Sequence, residues 1–340
     1  MGFLDFFRED IAIDLGTANF LIMQGDKVVV DEPAIVAYSR SSGRVLAIGR
    51  KAMQMEGKVH EDIRIVRPMK DGVIADFHAA EHMIKGMLLL IHAGKRKLAT
   101  SYRMVICVPS GITEVEKRAI RDSAGIAGAR ELYLVHEPIA AAIGIGLDVE
   151  EPNGHMIVDI GGGTTEIAVV ALSGIVCDQS LKVAGESFNA DIRHYMRKHH
   201  NLLIGQSTAE RIKKEVGAAL PELEDPPADL PIKGRDLLTG LPKQVYVSYV
   251  DVAQFLDRSL SKIEEAIMKT LEATPPELSA DIHQTGIYLT GGGALLRGLD
   301  RRISARTKLP THVVEDPLRA VVQGTGIAMK NIDRFKFLMR

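Results

Sequence analysis

The stretch MIVDIGGGTTEIAVV, Met156 to Val170, decides how this sequence folds. Apolar residues lead into Asp159, three glycines and two threonines follow, and a second apolar run begins directly after them. This order predicts a tight β-hairpin whose turn carries almost no side chains. Such a turn lets backbone N–H groups approach an anion, and a carboxylate at the end of a buried strand needs a cation or hydrogen bonds. The alternative is a plain glycine turn capped by an aspartate.

The same pattern occurs near the N-terminus, in the stretch IAIDLGTANFLIM from Ile11 to Met23. Aligning Asp14 with Asp159 superimposes two copies of strand, aspartate, glycine-containing turn and strand, each followed by a third strand-like run. A further glycine turn, IYLTGGGA from Ile287 to Ala294, follows another predicted strand. This repetition predicts a duplicated α/β fold, with two mixed-sheet halves and a nucleotide cleft between them.

The two facing turns offer the groups that a phosphate and a metal ion require. Asp14 and Asp159 are expected to lie too far from the phosphates to act on them directly. We therefore expect Mg²⁺ and its waters between them, because Mg²⁺ prefers few carboxylates and several retained waters. The backbone and hydroxyl donors predicted to face the β- and γ-phosphates belong to Thr17, Asn19, Gly162, Gly163 and Thr164.

Glu137 is the candidate for orienting the water that attacks the γ-phosphate. It ends a predicted strand, is fixed by Pro138 and begins a helix. An alternative role is a capping carboxylate stabilised by the helix dipole, and the two roles are compatible. The helix itself, Ile139 to Ile143 followed by Gly144 and Gly146, carries small side chains. This composition predicts close packing against another backbone, as a hinge helix between two domains requires.

Apolar periodicity and capping signals predict the remaining helices. Pro275 and Pro276 are expected to end the longest amphipathic helix. The stretch from Leu220 to Pro231 carries four prolines, which predicts an irregular surface excursion. The predicted helices cover residues 76–92, 114–127, 185–198, 207–215, 250–273, 295–306 and 320–331.

Composition and missing motifs restrict the function classes. The 340 residues are 46% hydrophobic and 25% charged, which is typical of a globular protein with room for two cores. A net charge of −2 gives no electrostatic basis for binding nucleic acid. The sequence contains neither a P-loop nor a Rossmann fingerprint. Cys107 and Cys177 lie in apolar runs without a Cys-x-x-Cys pair, which predicts buried free cysteines in a reducing compartment.

Three stretches are candidates for contacts with other surfaces. Residues 1–7 contain five apolar side chains, which predicts either a short amphipathic segment that enters a membrane surface or a segment packed on the protein's own core. Residues 93–100 form a basic loop that carries Leu98 and suits anionic lipid, although such a loop is commonly a solvated turn. The apolar tail, residues 335–340, is either docked or a further interaction element. No apolar run is long enough to span a membrane and no secretory signal is recognisable, so we expect a cytoplasmic protein.

The motifs Asp14-Leu-Gly-Thr17, Asp159-Ile-Gly-Gly-Gly-Thr164 and Leu289-Thr-Gly-Gly-Gly-Ala294 resemble those of the actin, heat-shock chaperone and sugar kinase superfamily. Longer stretches resemble the bacterial actin homologues of the MreB family, over most of the chain. Among these stretches are RPMKDGVIAD, which starts at Arg67, and EPIAAAIG, which starts at Glu137. Two positions depart from the family pattern: Phe20 replaces a usual threonine, and His136 replaces a residue that is often acidic.

The resemblance implies a slow, Mg-dependent ATPase whose activity is coupled to polymerisation. The homopolymer would pair its protofilaments antiparallel, with residues 114–127 as the lateral contact. It would sit at the inner face of the cell membrane, on anionic lipid, and would organise membrane proteins of cell-wall synthesis to maintain rod shape. Asp14, Asp159 and Glu137 would serve catalysis. The implied nucleotide-binding residues are Gly16, Thr17, Ala18, Asn19, Gly161, Gly162, Gly163, Thr164, Glu210, Arg211, Ile212, Lys213, Gly291, Gly292, Gly293 and Ala294.

The resemblance also divides the chain into four actin-like subdomains. A chaperone-type ATPase and a small-molecule kinase on the same fold are alternatives. The chaperone would need a substrate-binding domain after the ATPase core, and the kinase a dedicated aspartate base. The expected division is 1–32, 66–144 and 315–340 for subdomain IA, 33–65 for IB, 145–180 and 245–314 for IIA, and 181–244 for IIB.

Overall fold

The computed structural model describes residues 8–92 and 101–340, which form two α/β halves, each built on a five-stranded sheet. The amphipathic segment expected at residues 1–7 and the basic loop around Leu98 lie outside the described residues. Within the described part of the chain, no helix combines the length and the apolar character that crossing a membrane requires.

The first half contains a five-stranded sheet, a three-stranded sheet and a short hairpin. The helix α3 begins with the predicted capping box, in which Thr113 and Glu116 each bond the other's backbone N–H. The elements are β1 Arg8–Leu15, β2 Asn19–Gln24, β3 Lys27–Pro33, β4 Val36–Ser39, β5 Val45–Ile48, α1 Arg50–Met53, β6 Ile63–Val66, β7 Met69–Lys70, β8 Val73–Ile74, α2 Phe77–Ile91, β9 Ser101–Val108, α3 Glu114–Ile126, β10 Ala129–His136 and α4 Glu137–Gly144.

The second half repeats this plan with a five-stranded and a three-stranded sheet. A 3₁₀ turn, Gly292–Leu295, follows the strand β17. The elements are β11 His155–Ile160, β12 Thr165–Ala171, β13 Gly174–Leu181, α5 Gly185–His200, β14 Leu202–Leu203, α6 Gln206–Val216, β15 Leu230–Asp236, β16 Pro242–Val247, α7 Tyr249–Ala273, α8 Pro276–Thr285, β17 Ile287–Thr290, α9 Leu299–Thr307 and β18 Thr311–Val313. The last helix, α10 Ala320–Lys330, returns to the first half and packs on β1, β9 and α4.

The two large sheets have the same topology. Their strand orders are β3-β2-β1-β9-β10 and β13-β12-β11-β17-β18. In both, an antiparallel three-stranded meander joins two further parallel strands. Every residue of β11 and β12 is buried, because helices cover both faces of the sheet at this point. The duplication expected from the two Asp-containing stretches is therefore present in the strand order itself.

The helices α4 and α10 form a layer between the two sheets. Their core includes side chains from both halves, among them Val105 of β9, Ile157 of β11 and Val322 of α10. The helices touch through their backbones: a methyl group on Gly144 would lie 1.9 Å from the Ala320 carbonyl oxygen. The close packing predicted for the small-residue helix is thus confirmed, and its partner is α10.

Two local predictions need correction, and one open question is answered. The helix expected over residues 295–306 begins only at Leu299, because the residues before it form the 3₁₀ turn. The prolines that end α7 also start α8, which was not predicted, since proline fits the first turn of a helix. The tail is docked: Met339 and Leu134 of β10 exchange two backbone hydrogen bonds, of 2.8 and 3.0 Å, and Phe335 is buried.

Candidate functional site

The turns of the two aspartate-tipped hairpins lie against each other between the halves. Gly161–Thr164 forms the turn between β11 and β12, and residues 16–18 form the turn between β1 and β2. A methyl group added to Gly162 would lie 2.6 Å from the Cβ of Ala18, and one added to Gly163 would lie 2.6 Å from the Thr17 hydroxyl. Only glycine lets the two turns approach this closely, so the contact between the halves explains why positions 162 and 163 are glycine.

A third turn, which sequence reasoning did not assign to the site, covers the same place. The hairpin of β7 and β8 turns at Asp71 and Gly72, both with positive φ. The Gly72 N–H donates a hydrogen bond of 3.0 Å to the Thr17 hydroxyl. Lys182 of the second half lies 3.8 Å from the Asp71 carboxylate across the junction. An Asp-Gly pair is a strong turn signal and could have revealed this hairpin from the sequence.

Asp14 and Asp159 occupy equivalent positions near the ends of β1 and β11. Burial raises the pKa of Asp14 to about 6, against a thiol hydrogen bond from Cys107 that lowers it. Burial and the Asp14 charge raise the pKa of Asp159 to about 7, against a hydrogen bond from Thr290. Two buried acids that repel each other's charge make a site where a cation would be stabilised.

Glu137 lies beside these aspartates as the first residue of α4. Burial, followed by the charges of Glu166, Asp159 and Asp14, raises its pKa well above the usual range. His136 is the N-cap residue, and its side chain makes no capping bond. The helix dipole still favours an acid in this first turn, so the capping and the catalytic interpretation both stay open. Burial lowers the pKa of His136, so this position does not add a fixed positive charge.

Glu166 is a buried acid that sequence reasoning missed. It lies on β12 opposite Asp159, and it accepts hydrogen bonds from the hydroxyls of Ser110 at 2.8 Å and Ser180 at 2.5 Å. Ser110 belongs to the first half and also lies 2.6 Å from Asp178 on β13. This network joins the two halves directly beneath the hairpins, and it depends on residues that are distant in sequence.

The residues assigned to the nucleoside side lie along α6 and around the turn after β17. The Lys213 ammonium donates to Glu210 at 2.7 Å and to the Gly185 carbonyl at 3.1 Å, next to the β11–β12 turn. Arg211 is exposed, whereas the Ile212 side chain is buried in the core of the second half. Gly291–Ala294 follows β17 and packs so closely that a methyl group on Gly291 would lie 2.3 Å from an Asp159 oxygen.

Two sheets of one topology, with aspartate-tipped hairpins meeting at their junction, define an actin-like α/β protein. The chain matches the model of the MreB/Mbl protein family over residues 8–337 and belongs to this family. It is 46% identical to the cell shape-determining protein MreB of Escherichia coli strain K12 over 336 residues, covering 97% of this chain and 96% of that protein. It is 44% identical to the cell shape-determining protein Mbl of Bacillus subtilis strain 168 over 329 residues, covering 96% and 98%.

The actin-like fold is also seen in a solved structure of a related protein. MreB 5 of Spiroplasma citri bound to AMPPNP superimposes with a TM-score of 0.90 and 40% identity, covering 96% of this chain and 97% of that one. The predicted fold class and the resemblance to cell shape-determining bacterial actin homologues are therefore confirmed.

Proposed function

We propose that the chain binds ATP with Mg²⁺ between its two halves and hydrolyses it slowly. The observation that carries this proposal is the meeting of the two hairpin turns, where glycine backbones contact Thr17 next to the strand ends that carry Asp14 and Asp159. Bare N–H groups in such turns favour an anion, and the paired acids favour a cation. The AMPPNP bound to the related Spiroplasma protein supports a nucleotide as the anion.

The donor chemistry fits Mg²⁺ rather than a metal held entirely by protein. Among residues 8–92 and 101–340, no group of three or more His, Cys, Asp or Glu side chains has the arrangement of a metal cluster. Two carboxylates and no further protein ligand suit an ion that keeps its waters and binds phosphate oxygens. Bound Mg²⁺ would neutralise charge on the phosphates. Asp14 and Asp159 would hold it through water.

Hydrolysis needs a group that orients water, and Glu137 is the residue we assign to this task. Its carboxylate would orient the attacking water and accept a proton from it. Glu210 and Lys213 would contact the nucleoside, with Arg211 and the Ile212 backbone beside them. Gly292–Ala294 would line the adenine side, and Gly291 precedes them in the same turn. Gly16 and Asn19 complete the phosphate side.

Equilibrium binding of a fluorescent ATP analogue, with and without Mg²⁺, tests this proposal. Asp159→Ala should abolish the Mg²⁺-dependent part of the binding. Asp333→Ala, at an exposed position of the C-terminal segment, is the matched control and should bind as the wild type does. Unchanged Mg²⁺-dependent binding by Asp159→Ala would refute the assignment.

We further propose that the chain polymerises and that α3 pairs protofilaments antiparallel. The helix buries only Ile120, Ser123 and Ala124, whereas Val115 on its outer side is 80% exposed. Ile126 at the end of the helix is also 49% exposed, and apolar side chains this exposed suit a contact with a second copy. High-speed sedimentation with ATP separates a filament-forming protein from a chaperone-type ATPase or a small-molecule kinase, neither of which should pellet.

We propose that the polymer lies on the inner face of the cell membrane and organises cell-wall synthesis proteins there. The observation in favour is topological. Arg8 of β1 pairs with Ser101 of β9 in parallel, so these two residues lie at the same end of neighbouring strands. Residues 1–7 directly precede Arg8 in the sequence, and the basic stretch 93–100 directly precedes Ser101. Their combination would bind anionic lipid, and a filament would repeat the contact along its length.

A further inference from the structure

The two aspartates of the proposed Mg²⁺ site are each held by one side-chain donor from a neighbouring strand. Thr290 donates its hydroxyl to Asp159 Oδ1 at 3.1 Å, and the Cys107 thiol donates to Asp14 Oδ1 at 3.3 Å. Both donors are buried, with exposures of 0% and 2%. Neither residue carries a role in the function proposed above, and a buried donor of this kind has no access to solvent.

The two donors occupy equivalent positions in the duplicated sheets. Thr290 lies on β17, the parallel neighbour of β11, and is the register partner of Asp159. Cys107 lies on β9, the parallel neighbour of β1, one residue past the pairing of Ile13 with Ile106. The internal repeat thus extends from the aspartates to the groups that bond them, although one copy uses oxygen and the other sulfur.

Each donor occupies only one oxygen of its aspartate. Among residues 8–92 and 101–340, no side chain or backbone group bonds Oδ2 of Asp14 or of Asp159. A hydrogen bond to one oxygen restricts rotation of the carboxylate and leaves the other oxygen for a different partner. Ligand carboxylates in metal sites are commonly held by such bonds, and loss of the outer bond weakens metal binding.

We propose that Thr290 and Cys107 are positioning residues that orient Asp159 and Asp14 toward Mg²⁺ and its waters. This inference rests on the Mg-nucleotide site proposed above and adds the residues that prepare it. Thr290 contributes the larger effect, because a hydroxyl is a stronger donor to a carboxylate than a thiol is. Removing a donor leaves the aspartate free to rotate, so a higher Mg²⁺ concentration is needed before nucleotide binds.

The test compares the half-saturating Mg²⁺ concentration for binding of a fluorescent ATP analogue. We expect Thr290→Val to raise it about 10-fold, at the lower end of the scale for outer-shell partners. Cys107→Ala should raise it by a smaller factor of about 3, because the thiol is the weaker donor. Thr290→Ser and Cys107→Ser keep a donor and should restore values near the wild type. Each donor variant should match its control in two measurements: nucleotide binding in EDTA, and the midpoint of thermal unfolding without nucleotide.

Each matched control makes the same type of substitution at a residue away from the site. Thr325→Val deletes a fully buried hydroxyl that bonds the Val321 carbonyl within α10, and Cys177→Ala removes the other cysteine. If the wild type binds nucleotide without any dependence on Mg²⁺, the proposed site and this inference fail together. If the wild type depends on Mg²⁺ and both donor variants match their controls, only the positioning role is refuted. Should Thr290→Val not fold, Cys107→Ala decides by the same comparison.

Discussion

The crossing of α4 and α10 leads to a quantitative prediction for Gly324→Ala. A methyl group at this position would lie 1.7 Å from the Ala140 carbonyl oxygen and 2.8 Å from the Gly144 nitrogen. Both obstacles are helix backbone, so a change of rotamer cannot relieve the contact. The two helices would have to move apart by more than about 1 Å before the atoms reach ordinary van der Waals separation.

The loss of stability can be estimated from the packing between α4 and α10 that such a movement would open. A gap of about 0.5–1 Å already removes a quarter to a half of the dispersion energy across a contact. The buried layer that would open includes the apolar side chains of Ala140, Ile143 and Val321. Overpacking of a core typically costs about 1–3 kcal/mol. Because here the obstacle is rigid, we expect Gly324→Ala to lower the free energy of unfolding by about 3 kcal/mol.

Urea unfolding of the full chain, followed by circular dichroism, measures this difference. Gly125→Ala is the matched control, because Gly125 is an exposed residue of α3 with open space around its Cα. Alanine is the better helix former, so the control should gain up to about 1 kcal/mol. A Gly324→Ala variant as stable as the wild type would show that the helices do not approach as described.

Four further predictions concern the site and the membrane. Glu137→Ala should leave ATP binding nearly intact and slow hydrolysis about 10²-fold; parallel losses in binding and turnover would instead indicate a structural cap. Deleting residues 1–7 should release ATP-bound polymer from anionic liposomes in co-sedimentation while filaments still form, and unchanged lipid binding would contradict this. Burial would raise the pKa of Glu210, but Lys213 and hydrogen bonds bring it to about 2. A carboxylate with a lowered pKa stabilises the folded protein at pH values above the pKa that it has in the unfolded chain. In urea unfolding, Glu210→Gln should therefore lower the free energy of unfolding by about 2 kcal/mol at pH 7 and by little near pH 2. Gly162→Ala should weaken binding of the ATP analogue while changing the urea midpoint less than Gly324→Ala does, and equal effects on both would refute it.

The hairpins were predictable because their signal is local. In each copy the strand, the aspartate and the glycine turn follow one another within a few residues, so the sequence alone predicts their shape. The close packing of α4 was equally visible in its run of alanines. The identity of its partner was not, because α10 lies far along the chain and only the fold brings Gly324 against Ala140.

The hydrogen-bonding partners of the acids could not be predicted in the same way. Ser110 comes from a loop of the first half, whereas Glu166 and Ser180 lie on two strands of the second half, so the contact of Ser110 depends on how the halves pack. The α8 helix was missed for a different reason. A proline pair ends one helix and begins the next, and the sequence signal for the end concealed the signal for the start.

The close contacts at Gly324 and Gly162 should respond differently to a methyl group, because the surroundings can move only at Gly162. At Gly324 the clash lies inside a buried helix layer shared by both sheets, so relief requires opening a core. At Gly162 the clash is with Ala18 across the junction between two turns, each tied to its own sheet. A small rotation of one half about the α4–α10 layer would separate the turns and leave both cores packed. The same rotation would move Asp159 away from Asp14. The Gly162→Ala substitution should therefore weaken ligand binding more than it destabilises the fold.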